Sequence, residues 1–430
     1  MKTRKRRSSS DSEKVKNKLE SLCKTSGFCL IVGFQTNPIK KFFNNFTDMK
    51  YLSDEPIKKI GAKSVNGFVF ELHYKRRDYN SYSVMKSTQD TFGADNLSYE
   101  YVVGQFVNKL CKVYPCFIET YGFFHYNTVD DFIYCGNTPQ ISSSEFKKRI
   151  THINIPQYKI NLDFACQQHT FISVMIQHLK KSIPIVKIFR TYDLQNLQFF
   201  IRVHLLPILY QIYLPLSMLR NTFTHYDLHS NNVLLCDLGY SNYIRMHYCS
   251  NKKTVSFNTR YISKIIDYGR CFFKDTDANI ESKTVHNKLG NIPSCQPKNG
   301  YNYGFALLKE ALDKNVSSDL WFMDCIKNTV SKNISRMVKK YEGCAHLEPF
   351  VKLLTELNIP TAQPESNPKI GYPERINNVY DMQLFLEDAL TSETAIKKDE
   401  RLYTTMTKLG DLYIDAHGVK SMKFVKATNF

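Results

Sequence analysis

The sequence predicts an α+β chain in which a small antiparallel sheet unit with one key helix precedes a larger, mainly helical unit. Three observations carry that expectation. Residues 60–72 read as strand, Gly-containing turn and strand, and 81–85, 117–124 and 171–176 read as further short strands, the first ending at Lys86. Among these strands, 96–110 alone has helical spacing, with Tyr99, Val102, Val103, Phe106, Val107 and Leu110 on one face. Beyond them the pattern is helix-rich, and an apolar run at 199–219 leads into a polar loop and a short apolar strand.

Composition bounds the class. At 430 residues the chain is long enough for one large domain or two ordinary ones, and 43% hydrophobic residues with 29 Phe and 27 Tyr exclude a mainly disordered protein. The formal charge of +18 suits anionic partners, whether nucleotides, nucleic acid or acidic protein surfaces. Part of it lies in Lys2-Thr3-Arg4-Lys5-Arg6-Arg7, so residues 1–20 are expected to be a basic, disordered tail, open to nucleic-acid contact or nuclear import. The segment 21–55 reads as an N-terminal extension. The 12 cysteines run from Cys23 to Cys344 without a C-x-x-C pair or zinc spacing, and no signal peptide is apparent, so they are expected as reduced thiols in an intracellular protein. The run 199–219 holds Arg202, His204, Pro207, Gln211 and Pro215, which argues against a membrane span and for a buried helix.

The most informative string is His225-Tyr226-Asp227-Leu228-His229-Ser230-Asn231-Asn232, which enters the apolar run Val233-Leu234-Leu235. A second strand, 262–266, ends in Asp267-Tyr268-Gly269. Phosphoryl transfer needs a carboxylate to orient and accept the proton of the attacking hydroxyl, and hard-cation ligands to hold Mg²⁺ against the phosphates. Asp227 fits the first role, and Asn232 and Asp267 the second. Either piece alone reads as a strand and turn; the two in order match the protein-kinase catalytic set.

The remaining pieces follow from that match. Residues 60–69 take the place of a phosphate-covering loop of pattern G-x-G-x-x-G-x-V: aligned on Gly67 and Val69, the other glycines become Ala62 and Ser64, with Gly61 displaced by one. Ser83-Val84-Met85-Lys86 stands for V-A-I-K, with Lys86 as the cation for the α and β phosphates and Glu100 on the next helix as its partner. Gln177-His178-Leu179 would form the hinge whose backbone bonds adenine, gated by Ile176. His225 is expected to be structural. Tyr226 replaces the Arg that reads activation-loop phosphate in many protein kinases. His229 replaces the Lys that usually flanks the γ-phosphate, and an ordinary imidazole is only partly charged at neutral pH. D-L-H-x-x-N is also the form seen in aminoglycoside and choline kinases. No A-P-E follows Gly269, and 300–305 does not substitute for it. Asp319 reads equally as a helix-start residue or as a buried carboxylate bracing the loop.

The arrangement resembles the serine/threonine-kinase-like proteins of large nucleocytoplasmic DNA viruses, the mimivirus-like ones in particular. Tyr99-Glu100-Tyr101-Val102-Val103-Gly104, residues 224–235 and Lys264-Ile265-Ile266-Asp267-Tyr268-Gly269-Arg270 carry the resemblance. It implies a two-lobed protein-kinase-like domain over 56–430. The small lobe would span about 56–178 with an irregular insertion at about 126–170, and the large lobe about 179–430 with a hairpin insertion at about 236–261. It further implies use of ATP with Mg²⁺, with Mn²⁺ as an alternative ion, but no substrate; an unidentified protein is the expected acceptor, and host cytoplasm or virion the expected location, with the nucleus open from the basic tail. The leading expectation is a serine/threonine protein kinase. A small-molecule kinase and a catalytically silent pseudokinase serving as a binding module are the alternatives.

Overall fold

The computed structural model describes residues 3–61, 67–89, 97–154, 171–290, 312–326, 378–391 and 402–427, with the single positions Thr329 and Ile376. They are mixed α and β, and the chain forms two compact units. One comprises Met1–Asn108, Ile118–Lys180 and Val285–Gly300, the other Lys109–Phe117, Lys181–Thr284 and Tyr301–Phe430.

The first unit is built on a seven-stranded sheet in which every pairing is antiparallel. Its strands are β1 (Ile57–Ile60), β2 (Gly67–Arg76), β3 (Tyr79–Gln89), β4 (Thr120–Tyr126), β5 (Gln140–Ile141), β6 (Ile150–Ile153) and β7 (Phe171–Gln177). Their order is β5-β1-β2-β3-β7-β4-β6. β2 and β3 join through Arg77 and Asp78, both at positive φ (49° and 63°), the two-residue turn whose twist matches that of paired strands. β3 does not stop at Lys86: Thr88 and Gln89 still pair with Ile172 and Phe171, so the lysine sits inside a ladder.

Among the described residues, helices that accompany this sheet include α1 (Thr3–Leu22), α2 (Ser26–Val32), α3 (Thr36–Phe42), α4 (Leu97–Leu110), α5 (Val129–Asn137) and α6 (Ser143–Arg149). The tail expected to lack structure is therefore helical. Leu19 is 2% exposed and Leu22 packs beside it, so the last turns of α1 have an apolar face to bury. The extension at 21–55 is likewise part of the core: Leu30, Ile39, Phe42, Phe43 and Phe46 share one cluster with Phe70, Leu72 and Met175. Cys23 and Cys29, expected as thiols, form a disulfide where the end of α1 and α2 bring their Cα atoms to 5.8 Å. The segment expected as an irregular insertion holds α5, α6, β5 and β6, with β5 pairing β1 and β6 pairing β4 at the two sheet edges; residues 155–170 lie outside the described set.

In the second unit, α7 (Ile185–Thr191) is followed by α8 (Leu194–Phe200), a π turn at Ile201–Leu205 and α9 (Leu206–Met218). The widened turn lies directly ahead of Pro207, which has no N–H to bond back along the helix. By length and composition Gln195–Met218 could cross a membrane, and 78% of its most apolar window is buried inside the protein. α9 is buried at every position from Pro207 to Ser217, with Gln211 and Ser217 hydrogen-bonded inside the core, and it packs against α10 (Val379–Thr391).

Where a mainly helical unit is expected, the described residues also hold three sheets. Their strands are β8 (Ser182–Pro184), β9 (Phe223–Thr224), β10 (Val233–Asp237), β11 (Asn242–Cys249), β12 (Thr254–Thr259), β13 (Tyr261–Ile265), β14 (Phe272–Asp275), β15 (Ile280–Glu281), β16 (Thr407–Asp415) and β17 (Lys423–Lys426). The sheets run β13-β10-β8, β12-β11-β16-β17 and β15-β14-β9. β11 and β12 form a hairpin closing at Cys249↔Thr254, and β16 joins β11 in parallel. A partner from 407–415 is invisible to local pattern, which is why the hairpin alone reads as an insertion.

Candidate functional site

The loop between β9 and β10 holds the candidate base. β10 and β13 pair antiparallel with Val233 opposite Ile265, so the residue before β10 and the residues after β13 emerge at the same edge. Ile266 N–H donates to the Asn232 carbonyl at 3.0 Å, continuing that ladder by one bond. Two apolar strands thereby bring Asn232 beside Asp267, whose backbone φ is +71°. A non-glycine residue at that angle is strained and needs surrounding structure to hold it. Tyr268 supplies some of it, its buried hydroxyl donating to the Ile265 carbonyl at 2.9 Å.

Within the loop, Asn232 Nδ2 donates to the Asp227 carbonyl at 2.9 Å, which leaves Oδ1 as the oxygen Asn232 can offer a cation. Tyr226, at φ +61°, is also held in the left-handed region. Its N–H donates to Asp319 Oδ1 at 3.0 Å, the His225 N–H donates to Asp319 Oδ2 at 2.9 Å, and its hydroxyl donates to the Asp313 carbonyl at 2.6 Å. Asp319 is thus the buried brace, one of its two readings from sequence. Burial pushes its carboxyl up to about 7, against the pull of those two amides. His225 is fully buried, and desolvation lowers its imidazole to about 4, so at neutral pH its Nε2–H donates to the Ile266 carbonyl at 3.0 Å. One histidine therefore ties the base loop to the strand end that precedes Asp267. Asp227 Oδ1 lies 3.4 Å from Arg270 Nη1 and 3.9 Å from His229 Nε2.

The candidate phosphate-side residues belong to the first unit. Lys86 Nζ meets Glu100 Oε2 at 2.9 Å, and Glu100 is 4% exposed in the first turn of α4. A carboxylate there is favoured by the helix dipole as well as by the ammonium. Val69 stands opposite Lys86 in the β2–β3 ladder. Gly67 permits that ladder to close, since a Cβ on it would lie 1.9 Å from the Ser87 carbonyl oxygen, and Gly61 turns at φ +83°. Ala62 and Ser64 lie outside the described residues, as does 300–305.

The expected hinge is partly committed elsewhere. Gln177 N–H donates to the Glu119 carbonyl at 2.8 Å, and its side chain bridges Glu119 N–H and the Leu30 carbonyl at 3.2 and 2.8 Å. Gln177 is thus a structural clamp whose amide is already in use. Ile176 is half-buried and Leu179 is buried. His178 Nε2 lies 2.5 Å from Glu71, whose carboxyl is held low first by that hydrogen bond. The sequence gives no sign of the His178–Glu71 pair, and it carries Arg270 in the string around Asp267 without assigning it a role; a cation directly after Asp-Tyr-Gly is the one local signal there.

For a metal, the donor set is one carboxylate, Asp267, and one amide oxygen, Asn232. Among the described residues no group of three or more His, Cys, Asp and Glu is arranged to hold an ion unaided. Mg²⁺ is commonly held by one or two protein oxygens with phosphates and water completing its shell, and this set fits that need. Compared with models of known protein families and with curated proteins, the chain shows no match.

Proposed function

We propose that this chain is an ATP- and Mg²⁺-dependent phosphotransferase of two-lobed protein-kinase-like fold, acting as a serine/threonine protein kinase. The observation that carries the proposal is the joining of the base loop to the Asp267 strand end through Asn232 and His225. A loop that only needed to turn would not require Tyr226 in the left-handed region with a buried Asp and a buried His to hold it, and the strand end it is tied to holds Asp267 in the same region. In this reading Asp227 orients the acceptor hydroxyl and takes its proton. Asp267 and Asn232 hold Mg²⁺, for which Mn²⁺ can substitute, and the ion neutralises charge on the phosphates. Lys86, oriented by Glu100, supplies a fixed cation to the nucleotide. The D-L-H-x-x-N string favours a small-molecule acceptor as the second reading.

The test is nucleotide binding and turnover with Asp267→Asn. Removing the metal-binding charge is expected to abolish Mg²⁺-dependent ATP binding while leaving the thermal midpoint near that of the parent. Unchanged Mg²⁺-ATP affinity in the variant would sink the metal assignment. Labelled ATP offered with mixed proteins and, separately, with hydroxylated metabolites distinguishes the two acceptor classes. A parent chain that binds nucleotide and transfers phosphate to neither would be a binding module.

A further inference from the structure

One carboxylate oxygen, Asp227 Oδ1, is approached by two basic side chains: Arg270 Nη1 at 3.4 Å and His229 Nε2 at 3.9 Å. Arg270 follows Asp267-Tyr268-Gly269 directly, so the strand end that offers the metal ligand also delivers this guanidinium to the candidate base. We propose that Arg270 is a further catalytic residue, the permanent cation beside the phosphoryl group as it moves to the acceptor; this rests on the phosphotransfer reading above.

Three physical points support it. An acceptor hydroxyl bonded to Asp227 sits about 3 Å from the carboxylate, and the phosphorus it attacks lies in line beyond it. A guanidinium in contact with that carboxylate is therefore within a side-chain rotation of the equatorial oxygens, where charge accumulates. Next, 3.4 Å is long for an Arg–carboxylate bond, whose good examples fall near 2.7–2.9 Å, so the contact is loose enough to be exchanged for phosphate when substrate arrives. Last, a guanidinium is always charged and presents a planar fork matched to two phosphoryl oxygens, a geometry that the His229 ring near the same carboxylate oxygen does not offer. In the step itself the acceptor oxygen bonds to the γ-phosphorus and its proton passes to Asp227. The bond from that phosphorus to the bridging oxygen breaks, leaving the electron pair on ADP.

The experiment compares Arg270→Gln, Arg270→Lys and His229→Gln with the parent in steady-state turnover, with thermal midpoints measured beside them. Binding of MgADP alone and of MgADP with aluminium fluoride, a mimic of the moving phosphoryl group, gives a readout that needs no turnover. Arg270→Gln is expected to lower kcat on the order of 10²-fold or more, since cations placed this way in phosphoryl transfer contribute at least that much. It should weaken the aluminium fluoride complex while MgADP affinity stays within a few-fold. Arg270→Lys should recover part of the rate, and His229→Gln should lose less than Arg270→Gln. An active parent whose Arg270→Gln variant turns over equally fast overturns the proposal. A faster variant also overturns it, and would make the contact with Asp227 a restraint on the base. A parent that shows no Mg²⁺-dependent transfer removes the phosphotransfer reading itself, and this inference falls with it.

Discussion

Asp319 and His225 touch through one backbone hydrogen bond, and burial moves their proton equilibria in opposite directions. The Asp319 carboxyl is raised from 3.8 to about 7, so the folded state holds its proton more tightly than the unfolded chain, and this contribution to stability fades as pH climbs from about 4 to 7. The His225 imidazole is lowered from 6.5 to about 4, so folding resists its protonation, and stability from this group grows as pH rises through the same window. Asp319→Asn deletes the first slope and leaves the second. The stability of the parent minus that of the variant is therefore expected to decline from pH 4 toward pH 7 in urea melts at a series of pH values. The variant should also be weaker throughout, because an amide nitrogen cannot accept from the second of the two loop amides. A pH-independent difference would show that Asp319 stays ionised, with the two amides outweighing burial. Asp227, Asn232 and Asp267 could be proposed from sequence because each belongs to a short contiguous string, His225 to Asn232 and Asp267-Tyr268-Gly269. The brace was ambiguous because its bond to His225 spans 94 residues, a separation at which one sequence carries no pairing information.

At the scale of elements, long periodic segments announced themselves and short capped ones did not. Helix α4 and strands β2 and β7 carry enough apolar positions at one period to be read directly. The nine residues of α5 and seven of α6 are too few for a period to show, and their evidence lies in their caps. Thr128 Oγ1 accepts from Asp131 N–H at 3.0 Å and Ser142 Oγ from Glu145 N–H at 3.3 Å, and each cap residue is followed three places on by a carboxylate. Packing distances are a second thing pattern does not give. A Cβ on Gly104 would lie 2.2 Å from Thr120 Oγ1, so this glycine lets α4 seat against β4 one turn beyond Glu100. Gly104→Ala should push the helix outward and loosen the Glu100–Lys86 pair, at a cost of roughly 1–3 kcal/mol for overpacking. Thr120→Ala removes the nearest atom, so the double variant should be more stable than the sum of the single losses predicts. Thermal midpoints of the four proteins check this, and strictly additive losses would mean that the two elements do not meet as described.

For the whole molecule, what distinguishes this chain is how far apart in sequence its neighbours lie. His247 on β11 bonds Ser256 on β12 at 2.8 Å and Asp411 on β16 at 2.9 Å, and its ring stacks on Tyr413 at 4.6 Å. Three strands from both ends of the second unit's sequence are laced by one side chain. Beneath them Leu409, Leu412, Ile414 and Phe424 are buried with Ile244, Met246 and Tyr248. Further ties run from the same segment to 109–117: Tyr114 donates to the Ala416 carbonyl at 3.1 Å, and Met422 N–H to the Lys112 carbonyl at 2.9 Å. No motif marks residues 402–427, and the sequence places them in the large lobe without assigning them a role; by burial they are core. Four large apolar side chains at about 1.5–3 kcal/mol each amount to roughly 6–12 kcal/mol, as much as the whole net stability of an ordinary domain. Deleting 402–430 should therefore abolish cooperative unfolding of the second unit rather than trim it, and should expose the β11 edge to aggregation. Calorimetry of the truncated chain, with limited proteolysis across 181–284 and dye binding to exposed apolar surface, would read this out. A truncated protein that melts as the parent does, resists cleavage there and binds no more dye would show that β16 and β17 are dispensable cover.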